Sequence, residues 1–248
     1  MSTFPFPGPG IDAVIFDMDG VVTQTALVHA AAWRQLFDEY LAARAVRTGE
    51  AFVPFDVDAE YRLYIDGKPR RDGVQSFLAS RGISLPMGSP SDPPDAETVC
   101  GLGNRKNGTF LQRVAIDGVQ AFPTTVDLIR SLRARGIRTA IISASENASA
   151  ILGAAGVLDL FEVKVDGTDA AALGLAGKPD PAIFLEAARR LGVPASRAAI
   201  VEDAIAGVEA GVRGGFSLVV GVERGHHEPE LAARGADTVV SDLGELLA

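Results

Sequence analysis

From Ile11 to Phe16 the chain runs Ile-Asp-Ala-Val-Ile-Phe, a short, β-branched and almost unbroken apolar stretch. A parallel strand covered on both faces reads this way. The signature returns at residues 137–142, 160–165, 198–201 and 218–222, and a shorter run at 238–240 is predicted to close an edge. Each run neighbours an Ala-, Leu- and Arg-rich stretch of helical period with Gly at its end. Strands alternating with such helices predict right-handed βαβ units and a parallel sheet with helices on both faces. The fold class is therefore α/β, a doubly wound parallel sheet forming a Rossmann-like core.

About 120 residues separate the first strand from the second, far more than the roughly dozen that a crossover helix needs. Within them, residues 26–41 show helical periodicity with Leu27, Ala30, Ala31, Phe37 and Leu41 on one side. Residues 73–80 and 104–116 also read as helices, and no strand pattern intervenes. The insert is predicted to be an all-helical cap domain. Residues 84–98 hold four prolines and are expected to form a surface loop. The expected division is a flexible leader at 1–10, a catalytic core at 11–24 and 117–248, and the cap at 25–116.

Composition narrows the partners. With 23 Lys+Arg against 32 Asp+Glu the net charge is −9, which argues against a nucleic-acid surface because phosphate-rich partners need clustered positive charge. No apolar run approaches the roughly 20 residues needed to span a bilayer. The first ten residues lack both the basic start and the apolar helix of a signal peptide. The one cysteine, Cys100, cannot form an internal disulfide, which fits a cytoplasmic protein with no membrane partner. Cys100 is expected to be a small packing residue, and His226-His227 a surface loop. A monomer is expected.

The chemistry sits at the strand ends. The first strand runs into Asp17-Met18-Asp19-Gly20, where alternation sends Asp17 and Asp19 to the same side and Gly20 allows a sharp turn. The second strand ends in Ser143 and the fourth in Glu202-Asp203. Carboxyl ends of strands in a doubly wound sheet share one edge. Unit charges about 4 Å apart there would repel by roughly 4 kcal/mol at an effective dielectric of about 20. Such a cluster calls for positive charge, and its all-oxygen donor set (Asp17, Asp19, Glu202, Asp203) suits Mg²⁺. Lys178, in Gly-Lys-Pro-Asp-Pro, is a second cation.

A metal ion beside an aspartate and a lysine is equipment for phosphoryl transfer. Asp17 is the expected nucleophile, taking the phosphoryl group as an acyl-phosphate. Asp19 is placed to act as general acid and base. Ser143 would hold a phosphate oxygen and Lys178 would neutralise the developing charge. Taken alone, Asp-x-Asp-Gly is equally a turn, Ser143 a helix cap, Lys178 a solvated lysine, and Glu202-Asp203 the start of a helix. An EF-hand is excluded because Val21-Val22 follows where further acids are needed.

Together, Asp17-Met18-Asp19-Gly20, Ser143, Lys178-Pro179 and Glu202-Asp203 resemble the four motifs of the haloacid dehalogenase-like phosphotransferases over nearly the whole chain. Thr23-Gln24-Thr25-Ala26, His29, Trp33, Arg70, Arg105-Lys106-Asn107, Ser143-Ala144-Ser145-Glu146-Asn147 and Gly177-Lys178-Pro179-Asp180-Pro181 resemble, in order, the β-phosphoglucomutase subfamily. The resemblance implies interconversion of β-glucose 1-phosphate and glucose 6-phosphate through glucose 1,6-bisphosphate. It implies Mg²⁺ ligation by Asp17, the Asp19 carbonyl and Asp203, with Glu202 in or beside the shell. Arg70, rather than its neighbour Arg71, would hold the distal phosphate, with Ser145 and Asn147 completing a phosphate site. Thr25 and His29 fall where that family's hinge meets its acid/base machinery, and Trp33 and Lys106 would line the sugar pocket. Gln24 stands where an aspartate is common and Glu146 where a base is usual, and residues 42–60 and 84–98 enlarge the cap. A phosphatase on the same core and a noncatalytic sugar-phosphate-binding domain are the rival readings.

Overall fold

The computed structural model of this chain describes residues 6–223 and 228–247. The chain divides into two compact units, one running up to Gln24 and resuming at Val119, the other Thr25–Gly118.

In the first unit, β1 (Ala13–Asp17) is buried at every position. The helical unit follows in sequence and carries α1 (Ala26–Thr48), α2 (Glu60–Tyr64), α3 (Arg70–Ser80) and α4 (Val99–Asp117). The chain then returns through α5 (Pro123–Ala134), β2 (Arg138–Ile142), α6 (Ala148–Ala154), β3 (Val163–Val165), α7 (Gly167–Leu173) and α8 (Ala182–Leu191). It closes with β4 (Ala198–Glu202), α9 (Ile205–Arg213), β5 (Leu218–Val222), α10 (Glu228–Ala233) and β6 (Thr238–Val240). Among the described residues the six strands form one parallel sheet in the order β3-β2-β1-β4-β5-β6. The order reverses between β1 and β4, which makes the carboxyl ends of these two strands the ligand crevice of such a sheet.

Register decides what meets there. Asp17 pairs with Ile142, so Ser143 lies one step beyond. Phe16 pairs with Val201, so Asp17 is level with Glu202. Ala13, Ile15, Ala140, Ile142, Ala198 and Ile200 share one face and pack with Ile183, Phe184, Ala187 and Leu191 of α8 in one apolar cluster. Continuing that alternation, Asp17 and Glu202 project to the α8 side, the side from which the loop carrying Lys178 enters α8.

Several elements depart from the pattern-based reading. The third strand is only Val163–Val165, because Leu158–Leu160 turns as a 3-10 helix first. The second unit is helical among its described elements, but α1 extends to Thr48 and α2 was not foreseen. Leu27 is 83% exposed. The buried stripe of α1 is Ala30, Ala32, Trp33, Leu36, Phe37, Tyr40 and Leu41. Trp33 draws it round the helix, and Leu27, six residues earlier, lies about a third of a turn away. Trp33, Leu36, Phe37, Tyr40 and Leu41 join Phe55, Phe77, Leu78 and Leu102 in the unit's own core, where Phe37 and Phe77 have ring centroids 4.0 Å apart.

Residues 84–98 form a loop held by α4. Asn104 donates to the Pro90 and Asp92 carbonyls at 3.0 and 2.8 Å, and Arg105 to that of Pro94 at 2.7 Å. Cys100 is buried. Of the expected leader, residues 1–5 lie outside the described residues. Phe6 is tied down, being buried with its carbonyl accepting from Arg135 at 2.5 Å. His226-His227 also lies outside the described residues. Among those described, no helix is long and apolar enough to cross a membrane.

Candidate active site

β1 ends in a tight turn. The Val22 and Thr23 N–H groups both donate to the Met18 carbonyl at 2.9 Å, and Gly20 N–H donates to Thr23 O at 2.9 Å. Gly20 has φ +79, and a Cβ there would run into the Asp203 carboxylate. Glycine is thus required twice, for the left-handed backbone and for the close approach of Asp203. Beyond the turn, the Thr125 hydroxyl donates to Val21 O at 2.8 Å and fastens it to α5.

The Lys178 ammonium, buried, lies 2.6 Å from Asp17 Oδ1 and 2.6 Å from Glu202 Oε1. The Phe184 ring lies 5.2 Å beneath it. Lys178 is therefore no solvated loop lysine, and Glu202, fully buried, is more than a helix start. Two carboxylates share one ammonium. Burial disfavours the charged lysine, yet Asp17 and Glu202 outweigh it and hold Lys178 firmly protonated. One negative charge is left in excess. Burial, and secondarily the nearby Asp19, push the Asp17 carboxyl up to about 6 against the pull of Lys178. Lys178→Met should strand two buried carboxylates and destabilise the metal-free protein by roughly 3–5 kcal/mol. Urea denaturation checks this, and an unchanged midpoint would count against the ion cluster as described.

Asp17, Glu202 and Asp203 each present a carboxylate oxygen, the three lying within 4.8 Å of one another. Three oxygens with no nitrogen or sulfur among them form a donor set for a hard divalent cation, and the space left by Gly20 is what lets Asp203 join. The cluster could hold such an ion. The Asp19 carboxylate is engaged elsewhere, accepting from the Ser143 hydroxyl at 3.4 Å. The metal role that resemblance implies for Asp19 runs through its backbone carbonyl.

Ser143 is buried and anchored by its N–H to Val165 O at 3.1 Å. Its Oγ accepts the Ser145 N–H at 3.0 Å, and Ser145 Oγ accepts the Asn147 N–H at 3.1 Å. With Oγ accepting, each hydroxyl still has its one proton, which Ser143 directs to Asp19. Ser143 caps no helix. Asn147 precedes α6, and Glu146 between them is exposed.

The helical unit assembles a second group. Lys106, buried, has its ammonium 2.5 Å from His29 Nδ1, 5.0 Å from the Trp33 ring and 4.9 Å from that of Phe110. His29 stacks on Phe110 at 4.0 Å between centroids. A lysine donor assigns the acceptor role to Nδ1, which leaves the imidazole proton on Nε2. Trp33 is mostly core, as its 4% exposure shows. Thr25 is buried at the start of α1, and Arg70 opens α3 with its stem over Gly103 of α4, where a Cβ would come 3.4 Å from Arg70 Cγ.

A family model for haloacid dehalogenase-like hydrolases matches residues 11–215. The chain belongs to this family. Among the haloacid dehalogenase-like hydrolases it groups with the β-phosphoglucomutases. It is 48% identical to the β-phosphoglucomutase of Mycobacterium bovis over 96% of this chain and 92% of that one. The crystal structure of β-phosphoglucomutase from Clostridium difficile matches with a TM-score of 0.72 at 27% identity, covering 95% of this chain and 93% of the other. CbbY of Rhodobacter sphaeroides, a point mutant crystallised with xylulose 1,5-bisphosphate, matches with a TM-score of 0.70 at 26% identity, covering 95% and 96%.

The haloacid dehalogenase-like core also depends on residues that sequence reasoning missed. Gly207 of α9 lies directly against the Glu202 side chain, with no room for a Cβ. Phe184 supports Lys178 from below. Asp166 and Gly167 underlie the 143–147 loop. Only Gly207 left a local trace, a glycine inside a helical stretch five residues after Glu202, which signals close packing.

Proposed function

We propose that this phosphomutase-family enzyme interconverts β-glucose 1-phosphate and glucose 6-phosphate through an aspartyl-phosphate on Asp17 and free glucose 1,6-bisphosphate. The observation that carries the reading is the meeting of Asp17, Lys178, Glu202 and Asp203 at the strand switch, with Ser143 reaching Asp19, in a chain 48% identical to a β-phosphoglucomutase. Asp17 Oδ attacks phosphorus, the sugar–oxygen bond to phosphorus breaks, and Asp19 gives a proton to the departing oxygen. In this first half the donor is the bisphosphate, which loses its C1 phosphoryl group and leaves as glucose 6-phosphate. In the second half Asp19 takes the proton from the C6 hydroxyl of β-glucose 1-phosphate as that oxygen accepts the phosphoryl group from Asp17, which re-forms the bisphosphate. Ser143 donates to a phosphoryl oxygen and Lys178 offsets the charge that develops on it. Mg²⁺, held by Asp17, Asp203, the Asp19 carbonyl and Glu202, would lower the repulsion between the nucleophile and the phosphoryl oxygens.

Arg70, Ser145 and Asn147 are assigned to the phosphate not being transferred, and Thr25, His29, Trp33 and Lys106 to the sugar and its acid/base coupling. The bisphosphate bound to CbbY supports a phosphate at each end of the ligand. Supplied with β-glucose 1-phosphate, Mg²⁺ and a trace of bisphosphate, the enzyme should form glucose 6-phosphate in a coupled dehydrogenase assay. Losing one charge-assisted contact, Arg70→Ala should raise KM by roughly tenfold to a hundredfold, while Arg71→Ala changes it little. No glucose 6-phosphate from the wild type would reject the assignment.

A further inference from the structure

The 143–147 loop is folded by its own hydroxyls, but those bonds do not orient it on the sheet. Besides the Ser143 hydroxyl on Asp19, two of its outward backbone anchors come from β3 and the turn after it. Ser143 N–H donates to Val165 O and Gly167 N–H to Ser145 O, each at 3.1 Å. The loop lies on the Gly167 backbone so closely that a Cβ there would come 2.7 Å from Ala144 O and 3.0 Å from Glu146 N. A trans peptide points its C=O and N–H in opposite directions. Binding the Ser145 carbonyl to Gly167 therefore turns the Glu146 N–H away from α7.

Gly167 is itself held from behind. Asp166, buried, accepts from the Thr168 and Asp169 N–H groups at 3.0 Å and pairs with Lys164. Asp169 accepts the Asp166 N–H at 3.1 Å, Lys164 at 3.2 Å and Arg190 of α8 at 3.1 Å. Arg190 also donates to Lys164 O at 3.1 Å and to Glu186 at 2.8 Å. Against burial, which would raise it, these donors bring the Asp169 carboxyl down to about 2. The direction of the Gly167 N–H is thus set by an ionic turn that the loop does not control.

We propose that Asp166 and Gly167 are positioning residues for the 143–147 loop and set how tightly it holds the phosphate that is not being transferred, an inference that rests on the roles given above to Ser145 and Asn147. The arrangement also explains how position 146 can carry an acid. The backbone donor aimed by Gly167 does not depend on the side chain there.

The test uses two phosphoryl donors on the full chain. Glucose 1,6-bisphosphate needs its second phosphate held, whereas acetyl phosphate, which phosphorylates Asp17 with acetate leaving and is turned over by slow hydrolysis of the aspartyl-phosphate when no sugar is added, has no second phosphate to hold. Gly167→Ala should raise KM for the bisphosphate roughly tenfold, with kcat nearly unchanged and acetyl phosphate turnover unaffected. Asp166→Asn keeps an oxygen for the Thr168 and Asp169 N–H groups but loses the ionic partner of Lys164, so it should move the same KM by a smaller factor. Equal losses with both donors, or an unchanged bisphosphate KM in folded Gly167→Ala, overturn the inference. If Gly167→Ala does not fold, an unchanged KM in Asp166→Asn overturns it. A wild type that hydrolyses the bisphosphate to inorganic phosphate without converting β-glucose 1-phosphate into glucose 6-phosphate removes the mutase reading and leaves this comparison standing.

Discussion

Asp17→Asn is expected to abolish turnover and, at neutral pH without metal, to make the protein more stable. The first effect follows from the assigned chemistry, since an amide neither attacks phosphorus nor carries the phosphoryl group, and a drop of roughly 10⁴-fold or more is expected. The second follows from the crowding of charge. Burial, and after it the nearby Asp19, outweigh the pull of Lys178 and move the Asp17 carboxyl from 3.8 to about 6. A carboxyl raised in the fold binds its proton more tightly there than in the unfolded chain. Stability therefore falls as pH rises from about 4 to about 6, and the whole penalty, on the order of 3 kcal/mol, is present above that window. Asparagine has no such titration, so the gap between variant and wild type should open across the same window. Urea denaturation in EDTA at pH 5 and pH 7.5 measures it. A variant less stable than wild type at pH 7.5 would contradict the account of the cluster.

Gly207→Ala should be a severely damaging single-methyl change within a helix of the core. Inside a helix, glycine to alanine ordinarily gains about 1 kcal/mol. Gly153 of α6, with nothing within 4 Å of a built Cβ, should behave that way. At Gly207 the Cβ would occupy the space of Glu202 Oε1, Cδ and Cγ. Glu202 must then leave its place 2.6 Å from Lys178, or α9 must move off β4. Overpacking together with a broken buried ion pair should cost about 3 kcal/mol or more, with turnover falling at least roughly a hundredfold. The pair of variants reads out as opposite shifts in melting temperature. Two shifts of the same sign would mean that Glu202 is not held against α9.

How much of this could be read from the chain depended on whether a signal was local. Parallel strands announce themselves as apolar runs, and the polar residues ending them, Asp17, Ser143 and Glu202, meet because sheet register places them level or one step apart. Lys178 followed from charge balance among those acids. The apolar run from Leu160 overstates the strand at 163–165 because Leu160 lies in a 3-10 turn and Phe161, though extended, lies outside the strand. The Phe161 ring contacts that of Phe16 at 6.3 Å. Helix α1 was cut short because residues 42–48 carry little apolar periodicity once past the aromatic cluster. The supports under the site left the weakest trace. Asp166-Gly167 reads as an ordinary helix start, and its bond to the Ser145 carbonyl crosses more than twenty residues of chain.

The central claim is that one carboxylate, Asp17, passes a phosphoryl group between two positions of one sugar and does not hand it to water. The most direct test is ³¹P NMR of one sample containing the wild-type enzyme, β-glucose 1-phosphate, Mg²⁺ and catalytic glucose 1,6-bisphosphate, followed to completion. The account predicts that the glucose 6-phosphate resonance grows as the starting signal fades, with the bisphosphate level steady and inorganic phosphate lagging far behind. Growth of inorganic phosphate in step with loss of substrate, with no glucose 6-phosphate, would contradict it.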